Sequence, residues 1–369
     1  MKVIHPKATH GTVNRVTDSL FSYQGWPTVS RDENGTLYAV ASSFRISHIC
    51  PFGKTAMYIS RNGGKSWTPP IIINDSCLDD RDAGILYLGN GKMIVSWFCH
   101  PANRYMEGEW NEFIKMAAPD AARDAAMGML EGYKFLKDGV KEGGSFIKIS
   151  NDYGVTWSDK IKVPISAPHG PNLMKDGSIG YVGTEAYSNG ELPEGSIAYY
   201  KSFDGGYTWK KISVIARPEW LKEGECISEP HVIELPNGRL LAAFRIEDSK
   251  PLCVAFTHSD DGGISWSEVE RSDCWGGPPH LMLHSSGALI CSCGYRENPF
   301  GEHAFISRDM GESFEAKYIL DESKYHDLGY PSTVELDDGS LLTVYYQKYC
   351  DKKGDDLTPS ILYTHWHLK

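Results

Sequence analysis

Five copies of one short motif constrain this chain more than any other feature. After a short apolar run the motif reads Ser-x-Asp-x-Gly-x-x-Trp. It occurs at Ser150/Asp152/Gly154/Trp157, Ser202/Asp204/Gly206/Trp209 and Ser259/Asp261/Gly263/Trp266, and in weaker form at Ser60/Asn62/Gly64/Trp67 and Ser307/Asp309/Gly311/Phe314. The chemistry is that of a tight turn. The Asp or Asn side chain accepts hydrogen bonds from turn amides, the glycine adopts a backbone conformation other residues resist, and the aromatic ring packs beneath.

A second series is locked to the first. Asn34-Gly35, Asn90-Gly91, Asp176-Gly177, Asn237-Gly238, Ser286-Gly287 and Asp338-Gly339 each separate two apolar or β-rich runs. Asn-Gly and Asp-Gly suit the positive φ of hairpin turns. Their spacing is about 50 to 60 residues, one propeller blade, except for one longer step after Gly91. The spacing predicts an all-β fold, a six-bladed β-propeller, spanning 1–369 as one domain. The sixth unit ends at Ile361-Leu362-Tyr363-Thr364 without the motif, so residues 1–20 are expected to supply its outer strand and close the ring.

The long step holds residues 101–144, whose composition and spacing predict a helical hairpin or lid divided at Pro119 and Gly128. In a propeller, the starts of the inner strands and the loops after the second strands open on one face. Inner-strand starts place Trp26, Asp82, His169, Glu229, His231, His280 and Tyr330 there; second-strand ends place Arg45, His100, Glu185, Arg245, Arg296 and Gln347. The insertion overhangs the same face.

Several of these segments resemble those of the sialidase (neuraminidase) superfamily, whose propellers carry BNR repeats, or Asp-boxes. Ser228-Glu229-Pro230-His231 resembles the family's acidic segment. Gly329-Tyr330-Pro331-Ser332 resembles the segment bearing its tyrosine nucleophile. Ala243-Phe244-Arg245 and Gly294-Tyr295-Arg296 resemble its carboxylate-binding arginines, Arg45 a further active-site arginine, and Asp82 an aspartate of blade two. The resemblance implies an exo-acting glycoside hydrolase that removes a terminal acidic sugar, sialic acid or a relative. Tyr330 and Glu229 would form the catalytic pair, with Arg45, Arg245 and Arg296 binding substrate; their places on the rim add Trp26, His169, His280 and Gln347 as further substrate-binding candidates. The logic is chemical: a carboxylate on the anomeric carbon repels an anionic nucleophile, so a phenol attacks while a neighbouring carboxylate takes its proton.

The chain departs from the family twice. Gly25-Trp26-Pro27 stands where the family has Arg-Ile-Pro. The loop that carries its acid/base aspartate reads Ile46-Ser47-His48-Ile49-Cys50-Pro51 and holds none. His48 or Asp82 is then the candidate proton donor. Two alternatives stay open: a propeller glycosidase or lyase for another glycan with a histidine acid/base, or a glycan-binding propeller without catalysis.

Charge and composition narrow the partners. The net charge of −11 disfavours a nucleic-acid binder. No run approaches the ~20 apolar residues of a membrane span, and the N-terminus lacks the apolar core of a leader. Nine cysteines, mostly inside apparent strands, read as free buried thiols without a metal-binding spacing. The expectation is a protein of the cytoplasm, or a secreted one whose leader has been removed, with a carbohydrate partner, no cofactor and no metal.

Overall fold

The computed structural model of the protein describes residues 1–117, 119–185, 192–193, 195–247, 251–351 and 354–369. Six antiparallel sheets follow one another along the chain. Their inner strands are Tyr23–Arg31, Arg81–Gly89, Asn172–Leu173, Cys226–Glu234, His280–Leu283 and Leu328–Glu335. The repeat spacing therefore translates into a six-bladed propeller.

The strand Thr9–Asn14 pairs antiparallel with Gly354–Trp366, so the N-terminal segment completes blade six as expected. The preceding strand, Lys2–Ile4, adds a parallel fifth strand to blade five beside Ala316–Ser323, which the sequence had not announced. Its three residues are too few to show the alternation of apolar and polar positions that marks a strand.

The Asp-boxes tie each third strand to the outer strand. In blade two, Ser150 Oγ donates to Asp152 Oδ1 (2.8 Å), the Gly154 amide donates to Ser150 Oγ (2.9 Å), and the Thr156 amide donates to Asp152 Oδ1 (2.8 Å). Blades one, three, four and five repeat this arrangement. The box glycine also lets neighbouring blades touch. Gly263 has φ +92°, and a Cβ there would fall inside the Tyr199 ring of blade three. Gly262, φ +75°, faces open space. Gly263→Ala is expected to lose about 2–3 kcal/mol, against ~1 kcal/mol for Gly262→Ala. Thermal melts of both variants check this, and equal losses would refute the inter-blade role.

The insertion is helical: α1 is Asn103–Met106, α2 Gly108–Lys115, α3 Asp120–Tyr133 and α4 Asp138–Lys141. Pro119 stands at the N-cap of α3, a residue that can begin a helix but not continue one. Gly128 does not divide the insertion: it lies inside α3, whose buried residues Ala122, Ala126, Leu130 and Tyr133 recur at helical spacing and hold the helix together from one side. This apolar face joins Tyr105 and Ile114 in the core between blades one and two. Ala118 is outside the described residues. Among the described side chains, eight of the nine cysteines are seen and none of the eight forms a disulfide; six are buried.

Candidate active site

One backbone device recurs at the start of four inner strands. Trp26, Asp82, Glu229 and Tyr330 have φ of 53°, 49°, 48° and 54°, in the left-handed region that non-glycine residues seldom adopt. At each, the ladder to the second strand slips, leaving a bulge. Pro27, Pro230 and Pro331 follow three of them, and a proline, lacking N–H, loses nothing where the ladder is already broken. The bulges re-aim the four side chains toward a shared centre. Strain of this kind, repeated four times, marks a site whose geometry the surrounding fold enforces.

At that centre the Tyr330 hydroxyl donates a short hydrogen bond to Glu229 Oε1. Arg245 NH1 lies 2.5 Å from Glu229 Oε2, and its NH2 pairs with Glu247. Arg296 stands with its guanidinium carbon 5.8 Å from the centre of the Tyr330 ring. It donates from Nε to the Leu328 carbonyl (2.9 Å) and from NH2 to the Tyr346 hydroxyl (3.3 Å). Among the described residues it makes no ion pair.

Burial dominates the electrostatics. It pushes the Tyr330 phenol well above its usual pKa, helped by Glu229 and Asp82 and opposed by Arg245 and Arg296. Burial raises Glu229 to about 7 against the pull of Arg245. It raises Asp82 to about 6 against Arg81, Arg45 and Arg245. Asp82 Oδ1 is buried without a hydrogen-bond partner. Asp82, Glu229 and Tyr330 thus form one interacting group.

Arg45 occupies a different position from the one expected. Its side chain is 0% exposed, and NH1 and NH2 both donate to Asp79, itself 0% exposed. It is a buried structural ion pair. Trp26 also differs: it is 1% exposed, with the guanidinium carbons of Arg81 and Arg45 4.1 Å and 4.6 Å from its ring and Tyr330, Tyr346 and Tyr23 around it. It props the site from behind.

His169 and His280 lie one layer deeper than the expected rim. His231 follows Glu229 by two residues, and a strand repeats its facing every two residues, so this layer lines the axis beneath the bulges. The His169, His231 and His280 rings touch one another at centroid distances of 5.0 Å, 5.8 Å and 4.6 Å. The His169 ring also lies 6.4 Å from that of Tyr330. They border an axial cavity of about 240 Å³, and burial keeps all three neutral by lowering their pKa. Gln347 turns away altogether. Alternation sends Tyr346 toward Trp26 and Gln347 toward blade five, where its Nε2 donates to Asp321 (2.9 Å).

His48 is on the aromatic side of the centre, its ring edge-on to Trp26 at 5.1 Å. Its Nδ1 is 3.2 Å from Asp327 Oδ1 and 2.9 Å from the Tyr23 hydroxyl.

Sequence reasoning missed Arg81, Tyr23, Tyr346, Asp327, Glu247 and Asp79. Arg81 directly precedes Asp82 within the run Asp79-Asp80-Arg81-Asp82, an unusual density of charge at a strand start that was a usable signal. Of the insertion, Tyr105 donates to Asp79 (2.9 Å) and the Trp110 ring lies 5.5 Å from the Arg81 guanidinium carbon, which brings the helices over one side of the site.

Comparison with known proteins agrees with the architecture. The family of BNR repeat-like domains matches residues 54–344. No curated protein matches the chain. Among solved structures, a protein of unknown function from Dyadobacter fermentans superposes with a TM-score of 0.75 at 20% identity, covering 99% of both chains. A sialidase from Streptococcus pneumoniae superposes at 0.67 with 15% identity, covering 97% of this chain and 70% of that one. An α-L-arabinanase from Penicillium chrysogenum superposes at 0.61 with 14% identity, covering 97% of this chain and 98% of that one. At these identities the likeness is one of fold.

Proposed function

We propose that this chain, which belongs to the BNR repeat-like domain family, is a glycoside hydrolase that releases a terminal acidic sugar, with Tyr330 as nucleophile and Glu229 as its base. One observation carries the reading: the Tyr330 hydroxyl is hydrogen-bonded to Glu229 between Arg245 and Arg296. A phenol with a raised pKa is a poor nucleophile alone and becomes one when a carboxylate takes its proton in the transition state. Arg296, without a carboxylate of its own among the described residues, is the natural partner for a sugar carboxylate, which an arginine fork binds in two-point geometry.

Arg81 adds a third guanidinium that acts on Tyr330 electrostatically. It takes the side left without an arginine by Gly25-Trp26-Pro27. Asp82, raised to about 6 with one oxygen unpartnered, is suited to hydrogen-bond a sugar hydroxyl on the floor of the site. The helical insertion closes one side through Trp110, which favours cleavage at chain ends. The solved sialidase and arabinanase share the fold and act on glycans by name, consistent with a glycosidase at this centre.

The test is a panel of aryl glycosides, sialosides and neutral furanosides included, with products followed by proton NMR. A covalent tyrosine intermediate gives two displacements, so the first-formed sugar should retain its anomeric configuration. An inverted first product overturns the nucleophile. An unsaturated product points instead to a lyase using His48. Cleavage confined to neutral furanosides overturns the acidic substrate.

A further inference from the structure

Breaking a glycosidic bond toward a sugar leaving group requires a proton on the departing oxygen. Asp82 is poorly placed to give it, because it shares the floor with the nucleophile pair and interacts with both Glu229 and Tyr330. A donor should stand across the site, reachable by substrate and held in one orientation.

His48 meets those conditions. Its backbone carbonyl accepts from Arg45 NH2 and from Arg81 NH1, both at 3.1 Å. The edge-on contact with Trp26 sets the ring plane. Nδ1 faces the Asp327 carboxylate, and the Tyr23 hydroxyl donates to that same carboxylate (3.1 Å). A proton on Nδ1 is therefore the arrangement that satisfies all three groups, leaving Nε2 as the working nitrogen. Among the described residues Nε2 has no hydrogen-bond partner, and 44% of the side chain is exposed. Asp327 is braced in turn by the Tyr346 hydroxyl at 2.9 Å, and Tyr346 by Arg296.

We infer that His48 and Asp327 form an acid/base dyad, His48 as the catalytic proton donor and Asp327 as its positioning residue; the inference rests on the Tyr330 reading above. In the first step Glu229 takes the phenol proton as the Tyr330 oxygen bonds to the anomeric carbon. The glycosidic C–O bond breaks, its electron pair stays on the leaving oxygen, and that oxygen takes the proton from His48 Nε2. In the second, neutral His48 takes a proton from water as the water oxygen bonds to the anomeric carbon. The bond to Tyr330 breaks, its electron pair returns to the phenol oxygen, and Glu229 gives the proton back.

The groups around His48 set its pH behaviour. Burial lowers its pKa; the hydrogen bond and charge of Asp327 oppose this, while Arg81 and Arg296 add to it. Tyr23, Tyr346 and Arg45 complete its surroundings. Glu229, raised to about 7, must be ionised while His48, lowered, must be protonated, so the reactive form is the minor one of the pair: the acid limb of activity lies at the His48 pKa and the alkaline limb at that of Glu229. A sugar carboxylate seated on Arg296 offsets part of the repulsion from Arg81 and Arg296, so the acid limb should lie higher in kcat than in kcat/KM.

The experiment compares two leaving groups in the full chain: 4-methylumbelliferyl α-N-acetylneuraminide, whose phenolate leaves unaided, and sialyllactose, whose alkoxide does not. His48→Gln should lose about 10²–10⁴-fold in kcat/KM on sialyllactose and under ~10-fold on the aryl sialoside. Asp327→Asn should lower kcat/KM on sialyllactose more than on the aryl sialoside and move the acid limb of kcat/KM to lower pH. Melting curves of both variants identify any loss due to unfolding, which would depress both substrates equally. An equal loss on both substrates in a folded His48→Gln protein, or no loss on either, overturns the dyad while leaving Tyr330 standing. Turnover like the wild type in Tyr330→Phe overturns both readings together.

Discussion

Tyr330→Phe is expected to abolish turnover, by ~10⁴-fold or more in kcat, with little change in folding. The phenyl ring keeps the contacts of Tyr330 with Trp26, Tyr346 and His169, and only the hydroxyl is lost. That hydroxyl donates to Glu229, which retains Arg245 as a partner, so its removal should cost about 1 kcal/mol of stability. Glu229→Gln should be nearly as damaging to kcat, and the double variant scarcely worse, because nucleophile and base act as one unit. If Tyr330 were only a packing residue of the inner strand, Tyr330→Phe would turn over normally and Glu229→Gln would show up in the melt. Measuring kcat and melting temperature on the same preparations separates these outcomes.

The largest structural loss is expected at Asp79, which touches no substrate. It receives both amino groups of Arg45, the NH1 of Arg81 at 3.3 Å and the hydroxyl of Tyr105 at 2.9 Å, all without exposure of its own. Asp79→Ala leaves a fully buried guanidinium unpaired and a second one weakened. Removing one partner of a buried pair costs about 3–5 kcal/mol, since the charge left behind cannot reach water. The damage should spread to function. Arg45 and Arg81 support Trp26 and hold the His48 carbonyl, and Tyr105 anchors the insertion. Asp75→Ala is the control: its pair with Lys54 is solvent-exposed and should be worth under ~1 kcal/mol. Thermal melts showing equal losses for the two would refute the keystone role of Asp79.

These two expectations differ in how they were reached. Tyr330 and Glu229 were legible in the sequence because each sits at the start of an apolar run next to a proline, in segments with a recognisable pattern. Asp79 was not legible. It lies in a charged loop before a strand, and nothing local distinguishes it from Asp75 or Asp80. What distinguishes it is that Arg45, Arg81 and Tyr105, from blade one, blade two and the insertion, converge on the same carboxylate.

The same contrast explains the misplacements. Reading strand starts and ends along the chain assumed an unbroken two-residue alternation. The bulges at Trp26, Asp82, Glu229 and Tyr330 break it and turn those four side chains to the centre, while His169 and His280, in blades without such a bulge, stay in the layer below with His231. Arg45 stands at a strand end as expected, but the partner that removes it from the site comes from another blade.

By itself, the sequence determined the repeat: five boxes and six hairpins whose local turn chemistry is complete within a few residues, and whose spacing dictates blade size, blade number and the closure of blade six by Thr9–Asn14. Local hydrogen bonds and periodic burial need no distant partner to be read. Only the tertiary structure decided which of the charged residues are free to act. Whether a guanidinium is a receptor like Arg296 or a sealed pair like Arg45, and whether His48 has an Asp327 behind it, depends on groups far away in the chain that meet at the axis. Burial then converts those meetings into the shifted proton affinities of Glu229, Asp82 and Tyr330.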